Sequence, residues 1–162
     1  MFLSHAWLPA TLADAPVVLD LIQAFYAEEH IPFDGHAQGR ALDALLADPA
    51  IGSVFLLHPV PAPPSPEPRP DPAPLGHLVL TRGHSLEFGG RFLLLDELYL
   101  VPSARGRGEG RRALAFAAGQ ARAAGAHALR LEVSRQNHRA RETYVRHGFV
   151  SETRDLMTLR LP

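Results

Sequence analysis

Leu98-Tyr-Leu-Val-Pro-Ser-Ala-Arg-Gly-Arg-Gly-Glu-Gly110 reads as an apolar strand that turns at Pro102 and passes through three alternating glycines into an alanine-rich helix. Without Cβ atoms at Gly106, Gly108 and Gly110 the backbone can approach a phosphate closely, and the unpaired N–H groups of the helix's first turn can point at it. Arg105, Arg107, Arg111 and Arg112 concentrate positive charge there, and a guanidinium offers bidentate hydrogen bonds to phosphate oxygens. The helix macrodipole acts in the same direction. The ligand expected is an anionic, phosphate-bearing cofactor. A P-loop is excluded, because it needs a lysine after its last glycine and the chain has none. A dinucleotide fingerprint, G-x-G-x-x-G, fits poorly: Arg111 stands where the third glycine belongs, although Glu132 ends the next predicted strand where a ribose-binding carboxylate would lie. Too little chain follows the loop for a doubly wound sheet.

A second pattern follows: Asn137-His-Arg-Ala140-Arg-Glu-Thr-Tyr144-Val-Arg-His-Gly148-Phe149. Together the two resemble the GNAT superfamily of N-acetyltransferases. Its acetyl-CoA loop, Q/R-x-x-G-x-G/A, is matched at Arg105, Gly108 and Gly110; its later helix, N-x-x-A-x-x-x-Y-x-x-x-G-F, is matched at Asn137, Ala140, Tyr144, Gly148 and Phe149. The resemblance covers roughly residues 75–161. It implies an α/β (α+β) fold with a mixed, mostly antiparallel central sheet of six to seven strands, flanked by about four helices and splayed between the fourth and fifth strands. It also implies acetyl-CoA as co-substrate, held by Leu98, Tyr99, Leu100, Arg105, Gly106, Arg107, Gly108, Glu109, Gly110, Arg111, Asn137 and Tyr144. One departure is Glu109, where the family usually has an aliphatic residue. A carboxylate in a helix's first turn suits the dipole, but one facing a pyrophosphate would repel it.

A chain of 162 residues is the size of one domain with a buried core, so residues 1–162 are read as a single domain. A net charge of −1 argues against nucleic acid as partner. No stretch is long and apolar enough to span a membrane and no basic leader precedes one, so a cytoplasmic location is expected. The absence of cysteine removes disulfides, thiolate nucleophiles and cysteine metal sites. The nine histidines show no metal-ligand spacing, and no metal is expected. Among them, His84 is a minor candidate base.

Along the chain, residues 4–10 can form a strand, and Asp14-Ala-Pro16 reads as an N-cap followed by an early-helix proline. Val17, Val18, Leu21, Ile22 and Phe25 recur at helical spacing, and the helix should reach Glu29 before Ile31-Pro32-Phe33-Asp34-Gly35 breaks it. A second helix is expected from His36 to Ala47, with strands at Ser53–Leu57, Leu75–Thr81, Arg91–Val101, His127–Val133, Val150–Thr153 and Leu156–Leu161. His58 to Pro74 holds nine of the fifteen prolines. Proline at every second or third position cannot pair in a sheet. The segment is read as an expanded hairpin loop, with a P-x-x-P match at Pro61 to Pro64 as a conceivable ligand for a partner domain.

Acetyl transfer to an amine needs a neutral amine, stabilisation of the oxyanion, and protonation of the departing thiolate. By resemblance, main-chain groups of Leu98 and Leu100 bind pantetheine and acetyl, and the Leu100 amide faces the oxyanion. The candidate base is Glu97 or Asp96. Strand alternation puts the two on opposite faces, so only one can face the substrate, and Glu97 is preferred. Tyr144 is the candidate acid, because the family places this hydroxyl beside the coenzyme A sulfur; its helical spacing with Ala140 and His147 also suits a core aromatic. Asn137 reads as an N-cap. The link between the first two helices borders the acceptor site in the family, which implicates Tyr26, Glu29, Phe33 and Asp34 in substrate binding. With Glu28, its three carboxylates would attract a cation and its aromatics could pack on one. The expected acceptor is therefore a small cationic amine, with polyamines a first test. A protein N-terminus or lysine as acceptor, and a non-catalytic acyl-CoA-binding module, are the alternatives. Family members often pair through their last strands, so a homodimer is compatible with the resemblance.

Overall fold

The computed structural model describes residues 5–60 and 72–161, in two compact units, up to Glu132 and from Val133. The first unit carries β1 (His5–Pro9), α1 (Ala15–Glu29), α2 (Gly35–Ala47), β2 (Gly52–Pro59), β3 (Gly76–Ser85), β4 (Gly90–Leu100), α3 (Glu109–Ala123) and β5 (Ala128–Leu131). The expected P-x-x-P match lies outside the described residues.

Pro16 in the first turn presets α1's backbone angle. Asp14 stands at the N-cap, but its carboxylate turns back to accept from the Thr11 N–H and hydroxyl, at 2.7 and 2.8 Å, which holds its pKa below the usual carboxylate value. The helix stops at His30, whose φ of 56° is left-handed, ahead of Ile31-Pro32. Asp34 caps α2, accepting from the N–H groups of His36 and Ala37 at 2.9 and 3.2 Å.

The sheet order is β1-β2-β3-β4-β5; the first four strands are antiparallel neighbours and β5 joins β4 in parallel after the α3 crossover. On one face Val54, Leu56, Val79 and Tyr99 pack with Val18, Leu21 and Ile22 of α1 and Leu42 of α2. Fully burying each such aliphatic side chain contributes about 1.5–3 kcal/mol. Alternate residues on β2 point the other way, where Phe55 meets Phe116 of α3 edge-on at 4.9 Å and Trp7 of β1 stacks on the same ring. The sheet is thus the middle layer of three.

Between β3 and β4 the register breaks once: Val79 faces Glu97, while the next residue, Leu80, faces Leu95. Asp96 is the extra residue of a β-bulge. It reverses the alternation of β4, so that Leu93 and Leu95 are buried below the bulge while Tyr99 joins the α1/α2 core above it. The β4–β5 pairing also ends here, at Leu95–Leu131. The sheet is therefore open between its fourth and fifth strands from Asp96 onward, as expected.

In the second unit, α4 (His138–Arg146) is capped by Asn137, whose side chain accepts from the Ala140 N–H at 3.1 Å. Gly148, at φ 88°, turns the chain so that Phe149 meets the Tyr144 ring at 5.8 Å. The fold class is the expected one, with four α-helices, but the sheet has five strands among the described residues instead of six to seven. The strands expected at Val150–Thr153 and Leu156–Leu161 are not formed. Alternation favours an extended backbone, yet a strand persists only when a neighbour takes its hydrogen bonds and covers its apolar face. Here Leu156, Met157, Leu159 and Leu161 are 69 to 90% exposed.

Candidate active site

The open stretch of β4 exposes main-chain groups. Val101 donates its N–H to the Leu75 carbonyl on the β3 side, so alternation turns the amides of Leu98 and Leu100 to the free edge. Tyr99 turns its backbone toward β3 and buries its ring in the core, its hydroxyl donating to Glu28 Oε1 at 3.1 Å.

Above the bulge Glu97 points toward α1. Its Oε1 accepts from the Tyr26 hydroxyl at 2.9 Å, and its Oε2 lies 2.8 Å from Nε2 of His77. Tyr26 is packed edge-on against Phe25 and Phe33. Its hydroxyl pKa is pushed well up, first by burial, then by the charge and hydrogen bond of Glu97, with a contribution from Asp96. Asp96 has an exposed side chain beside protein that excludes bulk water. That desolvation, followed by the charges of Glu97 and Glu132, raises its carboxyl above the usual range. Alternation alone separates Asp96 from Glu97; the bulge decides which one meets α1.

The expected acceptor-site residues come together in part. Tyr26 and Phe33 are in contact and Glu29 is exposed, but the Asp34 carboxylate is occupied in capping α2, and those two backbone N–H groups hold its pKa down. Glu28 is engaged as well: both its oxygens accept from Nη2 of Arg105, at 2.9 and 2.8 Å. Of the link's three carboxylates, the charge of Glu28 is therefore offset and that of Asp34 directed at a helix end.

Arg105, expected at the phosphate, has its guanidinium committed. Besides Glu28 it donates Nε–H to the Leu100 carbonyl at 2.7 Å and stacks 5.4 Å from the Tyr99 ring centre. It clamps the start of the glycine loop to the end of α1. Beyond it the loop is open: Gly106 and Gly108 sit at φ 75° and 84°, and a Cβ at Gly106, Gly108 or Gly110 would meet nothing within 4 Å. The first intrahelical bond of α3 runs from the Arg112 N–H to the Gly108 carbonyl, so the amides of Glu109, Gly110 and Arg111 precede the ladder. Arg107 and Arg111 are exposed beside them. This cradle fits a phosphate group.

Glu109 does not face that cradle. Its side chain is 2% exposed, with Oε1 2.8 Å from Nδ1 of His5 in β1 and 2.5 Å from Nη1 of Arg112. Repulsion of a pyrophosphate, expected from its position in the motif, does not follow from this geometry. Tyr144 and Asn137 belong to the second unit, where Tyr144 is half-buried against Phe149 and Asn137 is the helix cap. A cavity of about 240 Å³ lies elsewhere, lined by Ser53, Leu80, Arg82, Leu93 and Gln120 at the far end of α3 from the glycines. Among the described residues no group of three His, Asp or Glu side chains could hold a metal ion, and no helix is long and apolar enough to cross a membrane.

Two participants escaped the sequence reading. His77 carries one weak signal, a polar residue within the apolar run Gly-His-Leu-Val-Leu. The Glu28–Arg105 pair carries none, since its partners are 77 positions apart.

Residues 68–149 match the acetyltransferase (GNAT) family. The chain belongs to that family. No curated protein matches this GNAT chain, but solved structures do. An integron cassette protein from the mobile metagenome of Cole Harbour Salt Marsh is 30% identical with a TM-score of 0.76, over 96% of this chain and 90% of its own. The ribosomal-protein-alanine N-acetyltransferase of Brucella melitensis is 19% identical with a TM-score of 0.67, over 98% of this chain and 100% of its own. The aminoglycoside N-acetyltransferase AAC(6')-Iy, solved with CoA, is 13% identical with a TM-score of 0.77, over 97% of this chain and 95% of its own. At such identities the last two speak for the GNAT fold alone.

Proposed function

We propose that this GNAT protein transfers the acetyl group of acetyl-CoA directly to a small cationic amine, with Glu97 as general base. The observation that supports this most is the Glu97 carboxylate, fixed by Tyr26 and His77 beside the stretch of β4 whose Leu98 and Leu100 amides face an open edge. Acetyl-CoA supplies a thioester, whose carbon–sulfur bond breaks as the carbon–nitrogen bond forms. In this reading the first-turn amides of α3, Arg107 and Arg111 hold its phosphates, and the Leu100 N–H donates to the oxygen that gains negative charge. An ionised carboxylate has about four lone-pair sites, so two hydrogen bonds leave Glu97 able to take the amine's proton, directly or through water. Tyr144 is assigned by the motif to return a proton to sulfur.

The cationic preference rests on Glu29, Asp96 and Glu97, with the Tyr26 and Phe33 rings as an aromatic wall. The test is coenzyme A release, measured with a thiol reagent, across polyamines, amino acids, aminoglycosides and peptide N-termini. Release should depend on one class of small amine, and added salt should weaken its apparent affinity. Glu97→Gln should lower turnover by about 10²–10⁴-fold while acetyl-CoA still binds. Full turnover in that variant refutes the base assignment, and release confined to peptide N-termini refutes the small-amine acceptor.

A further inference from the structure

We propose that His77 is the positioning residue of Glu97, a neutral buried imidazole that keeps its proton on Nε2 and donates it to one carboxylate oxygen while Tyr26 donates to the other. The inference rests on the reading of Glu97 as base and adds the device that orients it.

The sheet sets the two side chains together. Val79 lies opposite Glu97 and His77 opposite Tyr99, so His77 and Glu97 are diagonal neighbours on the α1 side of the β3–β4 ladder. His77 is 0% exposed, and its ring is enclosed by Phe25, edge-on at 6.2 Å, and Tyr99 at 6.0 Å. Its Nε2 meets Glu97, and its Nδ1 has no hydrogen-bond partner among the described residues. An aliphatic side chain would fill this position without leaving a ring nitrogen unpaired, so packing alone does not account for an imidazole here.

The surroundings choose the tautomer. Nε2 faces an ionised carboxylate, which only accepts, so the hydrogen belongs on Nε2. A neutral imidazole then has a bare Nδ1. Adding a second proton would put an N–H where no acceptor stands among the described residues, a buried donor left unpaired. Histidine tautomers are set in this way by the bond the other nitrogen makes.

The consequence lies on Glu97. A single donor leaves a carboxylate free to turn about its last torsion; donors from two elements, Tyr26 on α1 and His77 on β3, fix its plane. Both favour the ionised form. They also act against the neighbouring acid, since Asp96 adds a like charge from β4 and Glu28 faces Tyr99 and Arg105 instead of Glu97. The proton acceptor is thus held by two neutral donors, without a cation to compete with the incoming amine.

The experiment has two arms. In wild-type protein labelled with ¹⁵N-histidine, the His77 resonances should show Nε2 protonated and Nδ1 bare at neutral pH; a hydrogen on Nδ1 overturns the proposal. In the second arm, the pH dependence of kcat/KM is compared for wild type, His77→Leu and His77→Gln with the acceptor amine that wild type uses. Loss of the donor in His77→Leu should move the acidic limb upward by about one unit and lower kcat about tenfold, with KM for acetyl-CoA unchanged. His77→Gln, whose amide can donate, should restore the limb. A folded His77→Leu protein with the limb unmoved overturns the proposal; if that variant does not fold, a hydrogen on Nδ1 in wild type overturns it, and Nε2 protonation together with a wild-type limb in His77→Gln supports it. Glu97→Gln separates the two layers. Activity there removes the base reading whatever His77 does, whereas inactivity with an unmoved limb in His77→Leu removes only the positioning role.

Discussion

Replacing Glu109 tests whether this carboxylate anchors the loop or meets the cofactor. In Glu109→Ala, two hydrogen bonds to a charged acceptor are lost, from His5 and Arg112, each contributing about 1.5–3 kcal/mol in net terms. A favourable interaction with the start of α3 goes too, on the order of 0.3–1 kcal/mol. Opposing these is relief of the desolvated carboxylate, whose Oε2 has no partner among the described residues, a cost of about 1–3 kcal/mol. Arg112 is 60% exposed and returns to water readily. A net destabilisation of about 2 kcal/mol is expected, which for a chain of this length lowers the melting temperature by roughly 4–8 °C. Glu109→Gln, which keeps an acceptor, should lose less. Calorimetric titration with acetyl-CoA should give a Kd within about threefold of wild type for Glu109→Gln, because the removed charge faces His5 and not the cradle. At a separation of about 4 Å a like charge in surroundings of effective dielectric 20 repels by about 4 kcal/mol, so a phosphate-facing carboxylate would show itself as tightening of tenfold or more. That result, or an unchanged melting temperature in Glu109→Ala, refutes the reasoning.

Other outcomes follow from the same structure. Asp96 has a raised folded-state pKa, so the native state binds the extra proton: its contribution favours folding at low pH and is lost as pH rises above the ordinary value of 3.8 and through the folded value. Asp96→Asn should therefore melt higher than wild type at neutral pH, with the difference vanishing in acid, as thermal denaturation across pH would record. Gly108→Ala meets open space but a left-handed φ of 84°, so strain of about 1–2 kcal/mol should weaken acetyl-CoA binding while far-ultraviolet dichroism stays unchanged. Asn137→Ala removes the cap of α4; a cost of about 1 kcal/mol should appear as faster amide exchange at residues 140–146.

The helices of the first unit were legible because their boundaries are written locally: Pro16 and Ile31-Pro32 bracket α1, and the break that runs through Gly35 precedes α2. The loop of Gly106, Gly108 and Gly110 was legible as a place of close backbone approach for the same reason, and two of the three, Gly106 and Gly108, take a positive φ. What the sequence did not disclose depends on partners far along the chain. Tyr26 and Glu97 are 71 residues apart, and nothing near either names the other. His77 looks like one polar residue in an apolar strand until the register sets it diagonal to Glu97. Arg105 reads as a phosphate ligand from its loop, and only Glu28, from another helix, shows where its guanidinium goes. The last two expected strands failed for a related reason: alternation from Val150 to Leu161 describes what a segment can do beside a neighbour, and the neighbour is not encoded in the segment.

The bulge at Asp96 makes this site depend on one residue standing outside the ladder. Any side chain at position 96 that keeps the bulge should leave Glu97 and Tyr99 on the side of α1. Were Asp96 to take a regular place in the ladder instead, Glu97 and Tyr99 would fall in phase with Leu93 and Leu95, which would drive a carboxylate toward the alanines and leucine of α3 and withdraw it from Tyr26 and His77. One inserted residue therefore both ends the pairing with β5 and indexes which side chain stands beside the opening. The acid that Glu97 contributes is a property of the side chain, whereas its address is a property of the bulge before it.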